Sequence, residues 1–214
     1  MSHKKSFITF EGGEGAGKTT LITKICAQLQ ARQIPFVQTR EPGGCMLAEK
    51  VRNLILDSGE SLNIGIRAEL LLFLAARAQH VEEVILPSLS QGKVVICDRF
   101  HDSTIAYQGI ARALGLEEVQ HLSNWAAQEL QPNLTFYLDI DPLIGMQRVG
   151  HRGSVKDRME LENLNFHNKV REGFVKLAQY RTPKQYNIID AAESPDQVFN
   201  KVWQIIAESI GSTK

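Results

Sequence analysis

The sequence predicts a doubly wound α/β fold, a parallel five-stranded sheet with helices on both faces. Three observations carry this. Short apolar runs alternate with longer stretches of helical spacing along the whole chain. The runs lack the polar alternation of half-exposed strands, which suits a sheet covered on both faces. Glycine and proline punctuate most of the junctions. With 214 residues the chain is long enough for one sizeable core and does not demand two, so residues 1–214 are expected to form a single domain.

The first strand is expected at 6–10, ending in Glu11-Gly12-Gly13. Residues 19–32 then have helical spacing, with Leu21, Ile22, Ile25 and Leu29 on one side. Pro35 interrupts them and Phe36-Val37 opens the second strand. Glu41-Pro42-Gly43-Gly44 must be a loop. Residues 47–56 read as a helix and 67–86 as a longer one, with Pro87 near its end. The apolar run 93–97 is the third strand and closes on Asp98-Arg99. Helical patterns fill 104–130, Pro132 breaks them, and 134–138 is the fourth strand. A helix starts over 142–149, and a basic, glycine-bearing segment follows at 150–158. Residues 161–180 are helical, 186–189 form the fifth strand, and 195–210 make a closing helix.

Hydrophobic residues make up 43% of the chain and charged residues 22%, as in ordinary soluble globular proteins. Acidic and basic side chains balance at 24 each, which argues against a broad footprint for duplex nucleic acid. Cys26, Cys45 and Cys97 fit no zinc or disulfide framework, and Cys26 and Cys97 fall in apolar runs that suit core thiols. The histidines, His3, His80, His101, His121, His151 and His167, are scattered, and no metal site is assigned beyond a nucleotide's Mg²⁺. Trp125 and Trp203 are expected in the core or at a contact between copies. No signal-peptide apolar region follows Met1, and the apolar stretch at 70–76 is too short to span a bilayer; a cytoplasmic location is expected, with no membrane partner.

The strongest chemical signal is Gly12-Gly13-Glu14-Gly15-Ala16-Gly17-Lys18-Thr19, which fits G-x-x-x-x-G-K-[ST] between a strand and a helix. Glycines let successive backbone N–H groups cradle phosphate oxygens, and the helix N-terminus adds its partial positive charge. Lys18 can reach the β- and γ-phosphates of ATP, and Thr19 can offer its hydroxyl to Mg²⁺. The motif names a nucleotide but not a reaction. A GTPase switch normally reads guanine with Asn-Lys-x-Asp, whereas Asn168-Lys169 is followed by Val170-Arg171 and Asn200-Lys201 by Val202-Trp203. A nucleic-acid-dependent ATPase sits poorly with the neutral charge balance.

Elsewhere, Arg40 follows a strand and precedes a tight loop, where its fork can meet a phosphate or pair with Glu41 or Glu49. Phe73 lies on an apolar helix and Arg77 shares its face four residues on. Asp98 ends a buried strand, where doubly wound sheets place ligands, and a carboxylate there commonly works near Mg²⁺, directly or through water.

Four stretches together resemble the bacterial thymidylate kinase family, in order and spacing over nearly the whole chain: residues 11–20, 39–44, 68–77 and, most specific, 98–109. The resemblance implies a nucleoside monophosphate kinase fold, usually a homodimer, and transfer from ATP to dTMP with Mg²⁺, a step in dTTP synthesis. It implies an acceptor-binding helical region at about 40–90 and a lid at about 148–160. By the same resemblance, residues 12–20, Gly12 to Thr20, bind ATP. The dTMP set is Glu14, Arg40, Phe73, Arg77, Arg99, Ser103, Thr104, Tyr107 and Gln108. Within it, Phe73 stacks on thymine, Arg77 donates to its carbonyl, Tyr107 crowds the sugar 2′ position, and Glu14 meets the 3′-hydroxyl. None of the variable loop positions, Gly13 to Ala16, is basic, so the family pattern implies that a lid arginine supplies the missing charge. Arg152 is favoured and Arg158 comes second, beside Lys18 and Arg99 as the catalytic cations. Two departures stand out: Cys45 replaces the usual threonine after Gly43-Gly44, and Gly150 occupies a position where a relative carries another lid arginine.

Overall fold

The computed structural model describes residues 6–57, 62–151, 157–182 and 185–211. Five strands form one sheet in the order β2-β3-β1-β4-β5: β1 (Ser6–Glu11), β2 (Phe36–Arg40), β3 (Val94–Asp98), β4 (Leu134–Asp139) and β5 (Tyr186–Asp190). Every neighbouring pair is parallel. The expected fold is therefore present, with each predicted strand in place.

The pattern of burial explains the apolar runs. All six residues of β1 are buried, as are the first four of β3 and the first five of β4, because helices cover both faces of the sheet centre. The edge strands β2 and β5 are only partly buried. On one face α1 (Lys18–Ala31) packs beside the last helix, α9 (Pro195–Ser209). Ile22, Ile25 and Leu29 meet Phe10, Phe136, Val202 and Ile206 in the largest apolar cluster. On the other face α8 (Leu164–Tyr180) lays Val170 and Phe174 against Tyr137.

The remaining helices are α2 (Met46–Leu56), α3 (Ile66–His80), α4 (Leu86–Ser90), α5 (His101–Thr104), α6 (Leu116–Ala126) and α7 (Pro142–Gly150). Among the described residues two π-helical turns interrupt the pattern, Val81–Ile85 between α3 and α4 and Ile105–Ala111 after α5. The predicted helix at 67–86 thus runs on to Ser90, with Pro87 in the first turn of α4, directly after the π turn. The predicted helical stretch 104–130 begins earlier, at His101, and breaks before Gly115, whose φ of 99° suits glycine. A 3.6-residue template does not register a wide turn, so both differences have one cause. The helix expected from 161 starts at Leu164, where the Asn163 side chain caps it by accepting from Phe166 N. Cys26, Cys45 and Cys97 are all buried thiols. Trp203 stacks on Phe199, but Trp125 is 74% exposed on α6 and belongs to no core. Among the described residues no helix is long and apolar enough to cross a membrane.

Strand order positions the site. β1 and β3 are neighbours, but the chain leaves β1 toward β2 and leaves β3 toward β4. Such a switch point opens a crevice at the carboxyl ends of the strands. Register completes it: Asp98 sits opposite both Phe10 and Arg40, and the ladder extends through Arg99 N to Phe10 O and Glu41 N to Asp98 O, each 2.9 Å.

Candidate active site

A cleft of about 640 Å³ lies at these strand ends. Its floor is the loop between β1 and α1. Gly17 caps α1 in the left-handed region at φ 87°, and Lys18 and Thr19 open the helix. Lys18 Nζ donates to Gly12 O and Gly13 O, 3.0 Å each, which folds the lysine back over the loop. Burial, and Arg99 beside it, push its ammonium below the usual lysine range. The glycines are required by packing as well as by dihedral. A Cβ at Gly12 (φ 144°) would lie 2.6 Å from Leu138 O, and one at Gly15 (φ 71°) would collide with the backbone of Gly145 on α7. Gly145, which sequence reasoning missed, therefore lets α7 close-pack on the phosphate loop. Gly15, Ala16, Gly17, Lys18 and Thr19 line the cleft. Gly12 and Gly13 support it from below through their carbonyls, and Thr20 points to solvent on α1.

The wall opposite is held together by ion pairs distant in sequence. Arg99 adopts φ 70°, a strained conformation for a side-chain-bearing residue and one that clusters at functional sites. Its NH1 donates to Gly12 O at 2.8 Å and to Ser103 Oγ at 3.2 Å, and its NH2 to Glu14 Oε1 at 2.5 Å. Glu14 Oε1 also accepts from Tyr107 OH at 2.9 Å. Burial alone would raise the Glu14 pKa, but Arg99, Lys18 and the Tyr107 hydroxyl outweigh it and bring it down to about 2. An acid in a phosphate loop thus has its reason: it orients the arginine and the tyrosine.

Arg40 pairs with Glu49, NH2 to Oε2 3.0 Å, and not with Glu41. Glu41 is buried and takes Arg77 Nε at 2.7 Å on Oε2 and His80 Nδ1 at 3.0 Å on Oε1, while His80 Nε2 meets Thr39 Oγ1 at 2.6 Å. Despite the cost of burial, Arg77 and His80 hold the Glu41 carboxyl below the usual range. Arg77 is 2% exposed and not a solvated arginine; its NH1 donates to Ser123 Oγ at 2.6 Å and its guanidinium lies 5.0 Å from the Phe100 ring centroid. Arg40, Phe73, Arg77, Asp98, Arg99, Ser103, Thr104, Tyr107 and Gln108 all line the cleft with Glu14. The π turn at Ile105–Ala111 carries Tyr107 and Gln108 there together. Asp98 Oδ1 is buried and has no hydrogen-bond partner among the described residues.

The described residues on either side of 152–156 are anchored. Arg148 is fixed on α7, donating to Ala191 O at 3.0 Å. Arg158 is no free lid cation: its Nε donates to Ile55 O at 2.8 Å and its NH2 to Glu69 Oε2 at 2.6 Å. Arg152, Gly153 and Lys156 lie outside the described residues. Asp157, Met159 and Glu160 border the cleft.

Sequence reasoning also missed Glu11. It is 1% exposed at the end of β1, where Oε1 accepts from Phe100 N at 2.8 Å and Oε2 from Ser103 Oγ at 2.5 Å. Burial, with Asp102 nearby, raises its pKa to about 8. Its place at the junction of strand and phosphate loop was the available signal. Cys45 caps α2 in extended conformation, and its thiol makes no cap hydrogen bond.

A cleft of this kind, with a phosphate loop on one side and clustered guanidinium groups on the other, suits two nucleotides end to end. Comparison with known proteins points the same way. Residues 10–202 match the family model described as thymidylate kinase. A thymidylate kinase of Protochlamydia amoebophila is 46% identical over 211 residues, covering 96% of this chain and 93% of the relative. One from Bacillus velezensis is 43% identical over 205 residues, covering 95% and 96%. The crystal structure of thymidylate kinase from Ehrlichia chaffeensis superposes with a TM-score of 0.77 at 33% identity, over 95% of this chain and 99% of that one. The chain belongs to the thymidylate kinase family, and its reaction is the phosphorylation of dTMP to dTDP with ATP as donor.

Proposed function

We propose that the cleft performs this transfer by holding the two nucleotides at the two ends of the Glu14–Arg99 pair. Lys18 and the loop N–H groups bind the β- and γ-phosphates of ATP. Arg40 and Arg99 hold the phosphate of dTMP. Phe73, Arg77, Ser103, Thr104, Tyr107 and Gln108 receive its base and sugar. The observation that carries the reading is that these side chains, drawn from β2, α3, the turn after β3, α5 and the second π turn, share one cleft with the phosphate loop. Phosphoryl transfer asks the protein mainly for positioning and charge, and a pre-held Arg99 supplies both.

The residues also fit Mg²⁺. Asp98 presents a buried carboxylate oxygen without a hydrogen-bond partner among the described residues, and Thr19 is exposed at the start of α1. These two would hold the ion, directly or through water, and it would neutralise charge on the β- and γ-phosphates.

The segment 148–160 serves as lid in this reading. Arg158 is spent on Glu69 and Ile55, which favours Arg152 as the cation that reaches the transferring phosphoryl group. Arg152→Ala should lower kcat far more than it weakens dTMP binding, because that contact forms mainly in the transition state. Should Arg152→Ala and Arg158→Ala both keep the parent kcat, the lid does not carry the charge.

The chain works as a homodimer in a cytoplasmic setting, where its free-nucleotide substrates are found. Exposed Met46, Leu71 and Trp125 on α2, α3 and α6 support a contact between copies, and sedimentation equilibrium measures it. The substrate assignment is tested by coupled assay of ADP release with dTMP, dUMP, dCMP, AMP and thymidine. dTMP should lead, and Arg77→Ala should narrow its margin over dCMP; equal kcat/KM for both in the parent enzyme would remove the case for base selection by Arg77.

A further inference from the structure

Gln108 is 1% exposed, lines the cleft, and has its amide orientation set from behind. Its Nε2 donates to Glu69 Oε1 at 2.9 Å. Glu69 is fully buried on α3 and receives two arginines: Arg112 through Nε on Oε1 and NH2 on Oε2, 3.3 Å each, and Arg158 through NH2 on Oε2 at 2.6 Å. Burial works against its charge, but the hydrogen bonds from Gln108, Arg112 and Arg158 outweigh this and hold the carboxyl below the usual range. An ionised carboxylate only accepts. The neighbouring amide therefore has one stable orientation, with its NH₂ toward Glu69. Turned over, it would set a carbonyl oxygen against carboxylate oxygens in a buried site with no proton between them. Among the described residues no hydrogen bond is made to Gln108 Oε1, so its lone pairs remain for an occupant of the cleft.

We propose that Glu69 is a specificity-determining positioning residue: by fixing the Gln108 amide, it makes that wall of the cleft an acceptor for the imide N–H of thymine or uracil and excludes cytosine. Cytosine carries a lone pair at ring N3 where thymine carries N–H, so the fixed carbonyl would face another acceptor. Arg77 supplies the complementary donor. Three of its five N–H groups are engaged, by Glu41 through Nε and NH2 and by Ser123 through NH1. The remaining two can meet the C4 carbonyl of thymine and oppose the C4 amino group of cytosine. The two base readers thus share a design: each is held from behind by a buried carboxylate, Glu41 for Arg77 and Glu69 for Gln108. The inference rests on the reading above that Gln108 faces the base.

Steady-state kcat/KM for dTMP, dUMP and dCMP on the full-length enzyme and its variants tests it. In Glu69→Gln the residue behind can donate as well as accept, so Gln108 turns either way, and the dTMP-to-dCMP ratio should fall about tenfold or more. The dTMP-to-dUMP ratio should stay at the parent value, because both bases carry the N3–H. A purely structural role for Glu69 would lower all three substrates together and leave both ratios unchanged, and that result overturns the proposal. Gln108→Leu tests the reading beneath. If it leaves the dTMP-to-dCMP ratio untouched, Gln108 does not read the base and both ideas fall. If it lowers the ratio while Glu69→Gln does not, only the role of Glu69 is lost. If Glu69→Gln does not fold, Glu69→Met combined with Arg158→Met removes the acceptor and its shortest ion-pair partner together, and the same ratio decides.

Discussion

On the donor side of the cleft, residues 12–19 make the surface from one continuous loop, whose shape comes from backbone dihedrals and from Gly15 meeting Gly145. On the acceptor side several buried ion pairs join residues far apart in sequence. Glu41 grips Arg77 across 36 residues, Glu69 grips Arg158 across 89, and Glu14 grips Arg99 across 85. A site built from contiguous backbone is locally determined, and damage to it should stay local. A site built from buried ion pairs ties recognition to global stability, because removing one partner strands a charge in the interior.

The contrast is sharpest for Lys18→Ala. It should cost at least about 10³-fold in kcat, roughly 4 kcal/mol of barrier, with Tm and circular dichroism close to the parent. A large fall in Tm would show that the donor side is not local.

Glu41→Gln probes the other half. It weakens the grip on both Arg77 and His80 within the interior, so it should lower stability by about 3–5 kcal/mol and raise KM for dTMP together. Urea titration and steady-state kinetics on the same preparation measure the two; a raised KM with parent stability would separate recognition from stability and break the comparison.

Glu11 lies where the halves join, and its proton offers a pH readout. Its folded-state pKa, about 8, exceeds the ordinary value of 4.5. The folded form therefore binds the proton more tightly than the unfolded one. The stability this confers is complete below about pH 4.5 and is lost as pH climbs through about 8. Glu11→Gln cannot titrate, so the Tm of the parent relative to this variant should decline across that window. Parallel curves from pH 4 to 9 would mean that Glu11 does not titrate on unfolding.

Cys45→Thr carries the smallest expected effect. The thiol at the α2 N-cap is a weak acceptor and makes no cap hydrogen bond, whereas a threonine hydroxyl there accepts well. A gain of about 0.5–1 kcal/mol is expected, with kcat unchanged. A loss would show that Cys45, which is 8% exposed beside Ala48 and Ala76, matters more as packing than as a cap.

Much of this was legible in the chain itself. Apolar runs without alternation foretold a sheet buried on both faces, since burial of strands leaves no polar side to record. Residues 12–19 declared a phosphate site because glycine spacing, lysine and hydroxyl must all be local to work. Arg40, Phe73, Asp98, Arg99, Tyr107 and Gln108 were nameable through short stretches that resemble a family, and all line the cleft.

Tertiary structure alone decided the partners. Arg40 had Glu41 and Glu49 within reach by sequence, and the fold gave it Glu49 by turning Glu41 inward to Arg77 and His80. Arg158 read as a lid cation until Glu69, on α3, proved to hold it. Glu11 read as the end of a strand until burial and the neighbouring Asp102 made it a proton-holding support. Gly145 gave no sign of its contact with Gly15. In each case the outcome depends on which long-range neighbour removes a charge from water, and desolvation is a property of the assembled interior that no local stretch of residues carries.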